Sequence, residues 1–175
     1  MEIKLEWVLK RQVRTLINKT GYQNQDLVKS KFPDLEILIK PKAIIECYQE
    51  IPCNPCSTSC PVKAITIGED INQIPKIDYT KCTGCGICVY SCPGLAIMVA
   101  KIENEKAYFK IPYEFLPVPK KGEIWNGVNR LGDIICEATI ESVLSNKKTD
   151  RTILVTASVP KEYIYDFITV RKKDE

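Results

Sequence analysis

The segment CTGCGICVYSCP sets Cys82, Cys85, Cys88 and Cys92 in the spacing C-x2-C-x2-C-x3-C, followed at once by Pro93. Thiolates are soft ligands, and three of them at two-residue gaps let a short loop grip one iron–sulfide cube while the fourth reaches a different one. Such a loop needs tight backbone turns, which Thr83-Gly84 and Gly86 permit, and inward-pointing backbone N–H groups that favour a net-negative centre. Pro93 then redirects the chain away from the site. A zinc ribbon is satisfied by four cysteines, whereas this chain has nine, eight of them between Cys47 and Cys92. The residue types and their spacing therefore point to iron–sulfur chemistry.

The pattern occurs twice. Residues 53–67, CNPCSTSCPVKAITI, align at an offset of 32 with residues 85–99, CGICVYSCPGLAIMV, so that Cys53, Cys56, Cys60 and Pro61 fall on Cys85, Cys88, Cys92 and Pro93. This duplication predicts two half-domains, each a cluster loop, a short helix and an apolar strand, and two [4Fe-4S] clusters in all. Because the last cysteine of such a run serves the other cluster, one cluster is expected to take Cys47, Cys53, Cys56 and Cys92. The other is expected to take Cys82, Cys85, Cys88 and Cys60. One position breaks the repeat, since Glu50 stands opposite Cys82. Cys47 is expected to substitute for it from a longer loop, a thiolate being the better match for a soft site. Two alternatives stay open: Cys47 is a buried core thiol and the first site a three-iron centre, or Glu50 supplies an oxygen ligand. Cys136, alone in GDIICEATIESV, reads as a small buried hydrophobe.

Composition removes several other chemistries. Histidine is absent, which excludes His-based acid/base catalysis, haem on a proximal His, Rieske centres and Cys/His zinc fingers. No G-x-G-x-x-G or nucleophile–base motif occurs, so no catalytic residue is expected in this chain. A net charge of +3, spread evenly, predicts no nucleic-acid face. No apolar stretch approaches the roughly 18–20 residues of a transmembrane helix, and charged residues interrupt every candidate secretory core near the N-terminus. A cytoplasmic location is the expectation, and there dense cysteines mean metal or redox chemistry rather than disulfides. Lys63 and Lys81, beside the two loops, read as surface lysines.

The 175 residues divide into three expected regions: a helical N-terminal extension over 1–40, a dicluster domain over 41–102 and a β-rich module over 103–175. Leu5, Leu9, Val13, Leu16 and Ile17 recur at helical spacing over residues 1–20, and a second short helix is expected from Asn24 or Gln25 to Lys31, before Pro33. The first helix either packs on its own core or docks on a partner subunit. Strands are expected over Ala43–Glu46, Ala64–Ile67 and Ala96–Ile102, with Ile74–Tyr79 as an extended link. Lys106–Pro112, Asp133–Val143, Arg151–Val159 and Tyr163–Val170 are expected as strands of a small sheet or partial barrel, after a linker marked by Pro112, Pro117 and Pro119.

From Cys47 to Pro93 the chain resembles bacterial two-cluster ferredoxins. That resemblance implies an α+β class, with a ferredoxin-like, pseudo-twofold βαββαβ domain carrying both cubanes. The longer stretch that includes AIIECYQEIPCNPCSTSCPVKAITIGEDI and IPYEFLPVPKKGE is similar to the ferredoxin-type subunit of bacterial flavin-dependent amino-acid dehydrogenases acting on proline- or hydroxyproline-like secondary amines. It implies an electron-transfer chain that receives electrons from flavin-containing partner subunits, the catalytic flavin lying in a partner. The competing expectation is a free, diffusible ferredoxin.

Overall fold

The computed structural model describes residues 24–145, 147, 149 and 151–173. The helix expected over residues 1–20 lies outside them. A short helix α1 (Gln25–Lys29) starts at Asn24, whose side chain accepts from the Leu27 backbone N–H at 2.8 Å, and the chain then makes a 3-10 turn over Leu35–Ile39. There follow β1 (Lys42–Ile45), α2 (Pro55–Thr58), β2 (Ile65–Thr66), β3 (Lys76–Ile77), α3 (Ile87–Ser91) and β4 (Ile97–Glu103). Five further strands complete the chain: β5 (Lys106–Tyr113), β6 (Ile124–Val128), β7 (Ile134–Leu144), β8 (Ile153–Pro160) and β9 (Thr169–Arg171). Among the described residues strands dominate and the helices are few and short.

The sequence repeat reappears in the backbone at the same offset of 32. Strand β1 pairs antiparallel with β4 with Ile45 opposite Ile97, and β2 pairs with β3 with Ile65 opposite Ile77. The Glu46 N–H donates to the Ala96 carbonyl and the Asp78 N–H to the Ala64 carbonyl, both at 2.8 Å. Each half thus lends a strand to the other, the arrangement in which a ligand run of one half is carried into the other. Lys63 and Leu95, again 32 apart, both take φ of +50°, a left-handed conformation costing a non-glycine residue about 1–3 kcal/mol and kept only where the surroundings fix it.

Beyond the repeat the sheet does not stop. In the order β1-β4-β5-β8-β7-β6-β9, neighbours pair antiparallel throughout, so the strands after residue 103 extend the sheet that carries the repeat. Tyr113 on β5 and Trp125 on β6 meet edge-to-face at 6.1 Å, although β8 and β7 lie between their strands. A flat sheet would hold those strands about 14 Å apart, so the sheet curls around a core that includes Phe109, Ile111, Ile140, Val155 and Phe167. The segment 24–40 closes this core with Val28, Phe32 and Leu38, and Phe32 meets Tyr165 edge-on at 5.2 Å.

Three details differ from expectation. Pro112 lies inside β5, opposite Leu154, rather than in a linker. Its missing N–H is tolerated because the pairing of β5 with β4 has already ended at Lys110. The stretch expected as a strand over Tyr163–Val170 is mostly coiled, with Phe167 N–H bonded to the Tyr163 carbonyl at 3.0 Å, because Ile164 and Phe167 turn into the core; only β9 at its end is extended. Strand β6 falls outside the expected strands because Asn126-Gly127, two residue types depleted in strands, interrupt its apolar residues Ile124, Trp125 and Val128. Gly127 is needed there, since a Cβ would stand 2.6 Å from Cys136 Sγ and 3.3 Å from the Phe167 ring. Cys136 is accordingly a half-buried packing residue of β7, and burial pushes its thiol up to about 11.

The turn between β6 and β7 reaches back to the end of β1. Arg130 forms a two-pronged ion pair with Glu46, its Nε donating to Oε2 at 2.8 Å and its Nη2 to Oε1, with both side chains more than nine-tenths buried. Its Nη1 donates to the Tyr165 carbonyl at 2.7 Å. Removing one member of a buried pair strands the other charge, so Arg130→Met should cost about 3–5 kcal/mol, read as a lower urea midpoint. Combining Arg130→Met with Glu46→Gln should recover part of that loss.

Candidate metal centre

Each half delivers three of its cysteines from a loop and a one-turn helix. Cys53 precedes α2 and Cys56 lies in it, with Pro55 at the first turn where no N–H is needed. Cys85 precedes α3, Cys88 lies in it and Cys92 caps its end. Cys60 and Cys92 are tied by the same turn: the Ala64 N–H donates to Cys60 Sγ at 3.2 Å and the Ala96 N–H to Cys92 Sγ at 3.4 Å. The Ala43 N–H of β1 donates to Cys82 Sγ at 3.4 Å. Hydrogen bonds of this kind favour the thiolate, the form that binds metal.

Cys60, Cys82, Cys85 and Cys88 line one cavity together with Ala43, Ala64 and Ile65. The structure therefore brings Cys60 out of its own half to the three cysteines of the other. Burial pushes the Cys88 thiol up to about 12, and Cys82, Cys85 and Cys60 add to the rise. In the other set Cys53 and Cys92 act in the same way on Cys47 and Cys56. Burial raises Cys56 to about 11, with further increments from Cys92, Cys53 and Cys47, and it raises Cys47, with Cys92 and Cys53 adding to it. Glu50 is exposed at the surface.

Both sets are walled by Ile45, Val89, Ile97 and Val99, with Leu154 from β8. Among the described residues no three His, Cys, Asp or Glu side chains converge to hold a single metal ion; the thiols of the cavity instead surround a volume. A centre with several metal atoms, each taking one thiolate, fits that arrangement.

Three lysines are invisible to local reading because their partners lie far along the chain. Lys42 Nζ donates to the Tyr79 and Cys82 carbonyls at 2.7 Å each, Lys110 Nζ to the Cys85 carbonyl at 3.2 Å, and Lys31 Nζ to the Cys47 carbonyl at 3.1 Å. Lys63 is exposed, and Lys81 is exposed and paired with Asp78 at 3.1 Å.

The sequence is similar to that of known proteins over the cysteine region. Residues 51–96 match the family described as the 4Fe-4S dicluster domain. The pyruvate synthase subunit PorD of Methanocaldococcus jannaschii is 40% identical over 65 residues, 37% of this chain and 71% of that one. The chain belongs to the 4Fe-4S dicluster ferredoxin family. Ferredoxins of this family are iron–sulfur electron carriers, and its cofactors are two [4Fe-4S] clusters. A component of the Na(+)-translocating ferredoxin:NAD(+) oxidoreductase complex of Acetobacterium woodii is 55% identical over 38 residues. The NADH-quinone oxidoreductase subunit I of Pelobacter propionicus is 41% identical over 63 residues. These matches cover 22% and 30% of this chain, and the chain spans 11% and 34% of the length of those two relatives. No solved structure matches the chain.

The tightness of the second loop gives a test. Gly84 has φ of +66°, and a Cβ there would stand 2.5 Å from the Pro41 carbonyl oxygen, so Gly84→Ala must displace Cys82 or Cys85. Gly94 has nothing within 4 Å of such a Cβ. Gly84→Ala should lose about half of the bound iron and sulfide, whereas Gly94→Ala should keep all of it, as measured by metal and sulfide analysis of anaerobic protein.

Proposed function

We propose that this chain is the electron-transfer subunit of an oxidoreductase complex, with one [4Fe-4S] cluster on Cys47, Cys53, Cys56 and Cys92 and the other on Cys60, Cys82, Cys85 and Cys88. The observation that carries the ligand assignment is the position of Cys60, which lines the same cavity as Cys82, Cys85 and Cys88 although it belongs to the other half. Cys47 completes the first set, in line with the influence of the nearby Cys92 and Cys53 on it and with the exposure of Glu50. When bound, each cluster takes up and releases one electron, so a pair delivered by a two-electron donor is accepted one at a time. Cys56 and Cys88, one from each set, are near enough for the charge on one to act on the other, which supports transfer between the sites.

The donor in this reading is a flavin-containing amino-acid dehydrogenase subunit, supported by the sequence resemblance of the stretch around the cysteines. The names of the matched relatives describe subunits of a pyruvate synthase and of two oxidoreductases, which supports assembly with partners. Residues 41–102 carry the clusters, while 1–40 and 103–175 add the surfaces by which a subunit is held. No helix among the described residues is long and apolar enough to cross a membrane, and a cytoplasmic site is the reading that suits reduced thiols.

Anaerobically purified protein should contain about eight irons and eight sulfides per chain and no zinc. Cys60→Ser should abolish the paramagnetic signal of the cluster in the downstream loop, and Cys92→Ser that of the other; the reverse pattern would refute the crossed assignment. Native co-purification should recover the chain with a flavoprotein, whereas elution alone at the monomer mass would favour the diffusible carrier.

A further inference from the structure

Ammonium groups are distributed unequally over the two thiol sets. Lys42, 9% exposed on β1, donates to the carbonyls of Tyr79 and Cys82 at 2.7 Å each. Lys110, half-buried on β5, donates to the carbonyls of Cys85 at 3.2 Å and Gly84 at 3.5 Å. Its alkyl chain also covers Gly86, where a Cβ would meet Lys110 Cδ at 2.8 Å. Two cations are thus fixed on the backbone of the loop that bears Cys82 and Cys85. Among the described residues the other set has one: Lys31, donating to the Cys47 carbonyl at 3.1 Å and lying 5.0 Å from the centre of the Tyr48 ring. Of the other charges nearby, Glu46 is paired with Arg130 and Asp78 with Lys81, while Lys63 and Glu50 lie exposed to solvent.

We propose that Lys42 and Lys110 make the cluster on Cys60, Cys82, Cys85 and Cys88 the higher-potential site of the chain, so that the first electron to enter comes to rest there. The proposal rests on the ligand assignment given above. Reduction adds one negative charge to a centre that is already negative, and a fixed cation favours the reduced state by an amount that grows as the local dielectric falls. Lys42 is buried in the sheet, where dissolved ions screen it little, unlike Lys63 and Lys81 at the surface. Its hydrogen bonds to two carbonyls hold the ammonium within one peptide of a ligand sulfur, and it cannot swing out to water without breaking both.

The test is a potentiometric titration of the intact chain, followed by electron paramagnetic resonance, with Cys60→Ser and Cys92→Ser used to assign the two signals. In the wild type the Cys60-set cluster should be reduced first. Lys42→Gln should lower its midpoint and leave the other cluster's unmoved, whereas Lys42→Arg, which keeps the charge, should restore it. Lys110→Gln should lower the same midpoint by a smaller amount, and it reads the effect even where Lys42→Gln does not fold. Lys31→Gln should lower only the other cluster's midpoint. Prior reduction of the Cys47-set cluster, or midpoints unchanged in the Lys42→Gln and Lys110→Gln variants, would overturn the proposal. Loss of both signals in Cys60→Ser would instead count against the ligand assignment, as would an iron content far from about eight per chain.

Discussion

Thiols crowd together in the apolar pocket between the two halves, and for Cys47, Cys56 and Cys88 burial and the neighbouring sulfurs raise the cost of ionisation. Cys56 and Cys88, driven to about 11 and about 12 by burial and by the other thiols, would stay protonated near neutral pH in the bare protein. Metal binding needs them as thiolates. The charge is tolerable only when a cation-rich core shares it, which ties occupation of the site to the stability of the loops around it. The N–H groups of Ala43, Ala64 and Ala96, directed at three of the sulfurs, lower that cost by offering partial positive charge without a further ion.

The fold answers this constraint with two strands that are buried on both faces. On β1, Ala43 and Ile45 face the thiols while Ile44 faces the large core; on β4, Ile97 and Val99 face the thiols while Met98 and Ala100 face that core. Alternation along a strand places successive side chains on opposite sides, so a single pair of strands walls the electron-carrying site and closes the main core. The near-continuous apolar runs KAII and IMVA follow from that double duty. Arg130 adds a second tie, fastening Glu46, the residue before Cys47, to the turn at the far end of the sheet.

Much of the site could be read from spacing alone, because a repeat of loop, helix and strand leaves a local signature. Positions 63 and 95 show the limit: both adopt a left-handed turn, yet one is Lys and the other Leu, and neither announces it. Beyond Glu103, β5, β7 and β8 were legible as strands, but β6 and the continuity of the sheet were not. Pairing of β4 with β5, and the return of Leu154 to the thiol-lining cluster, depend on contacts that no local pattern encodes. Lys31, Lys42 and Lys110 were illegible for the same reason, since a lysine in sequence looks solvated until its carbonyl partners, tens of residues away, are known. The resemblance to ferredoxin subunits covered the cysteine region and its flanks, and said nothing of these lysines.

The hairpin of β4 and β5, paired from Val99 with Lys110 to Glu103 with Lys106, means that the metal-bearing part has no natural seam on that side. Cutting the chain after Glu103 would bare a row of backbone donors and acceptors along β4 and strip Leu154 from the wall of the site. An exposed apolar strand edge is a template for aggregation. A trimmed electron-carrier cassette made from this protein would therefore need a replacement strand along that edge, and shortening alone would not yield one.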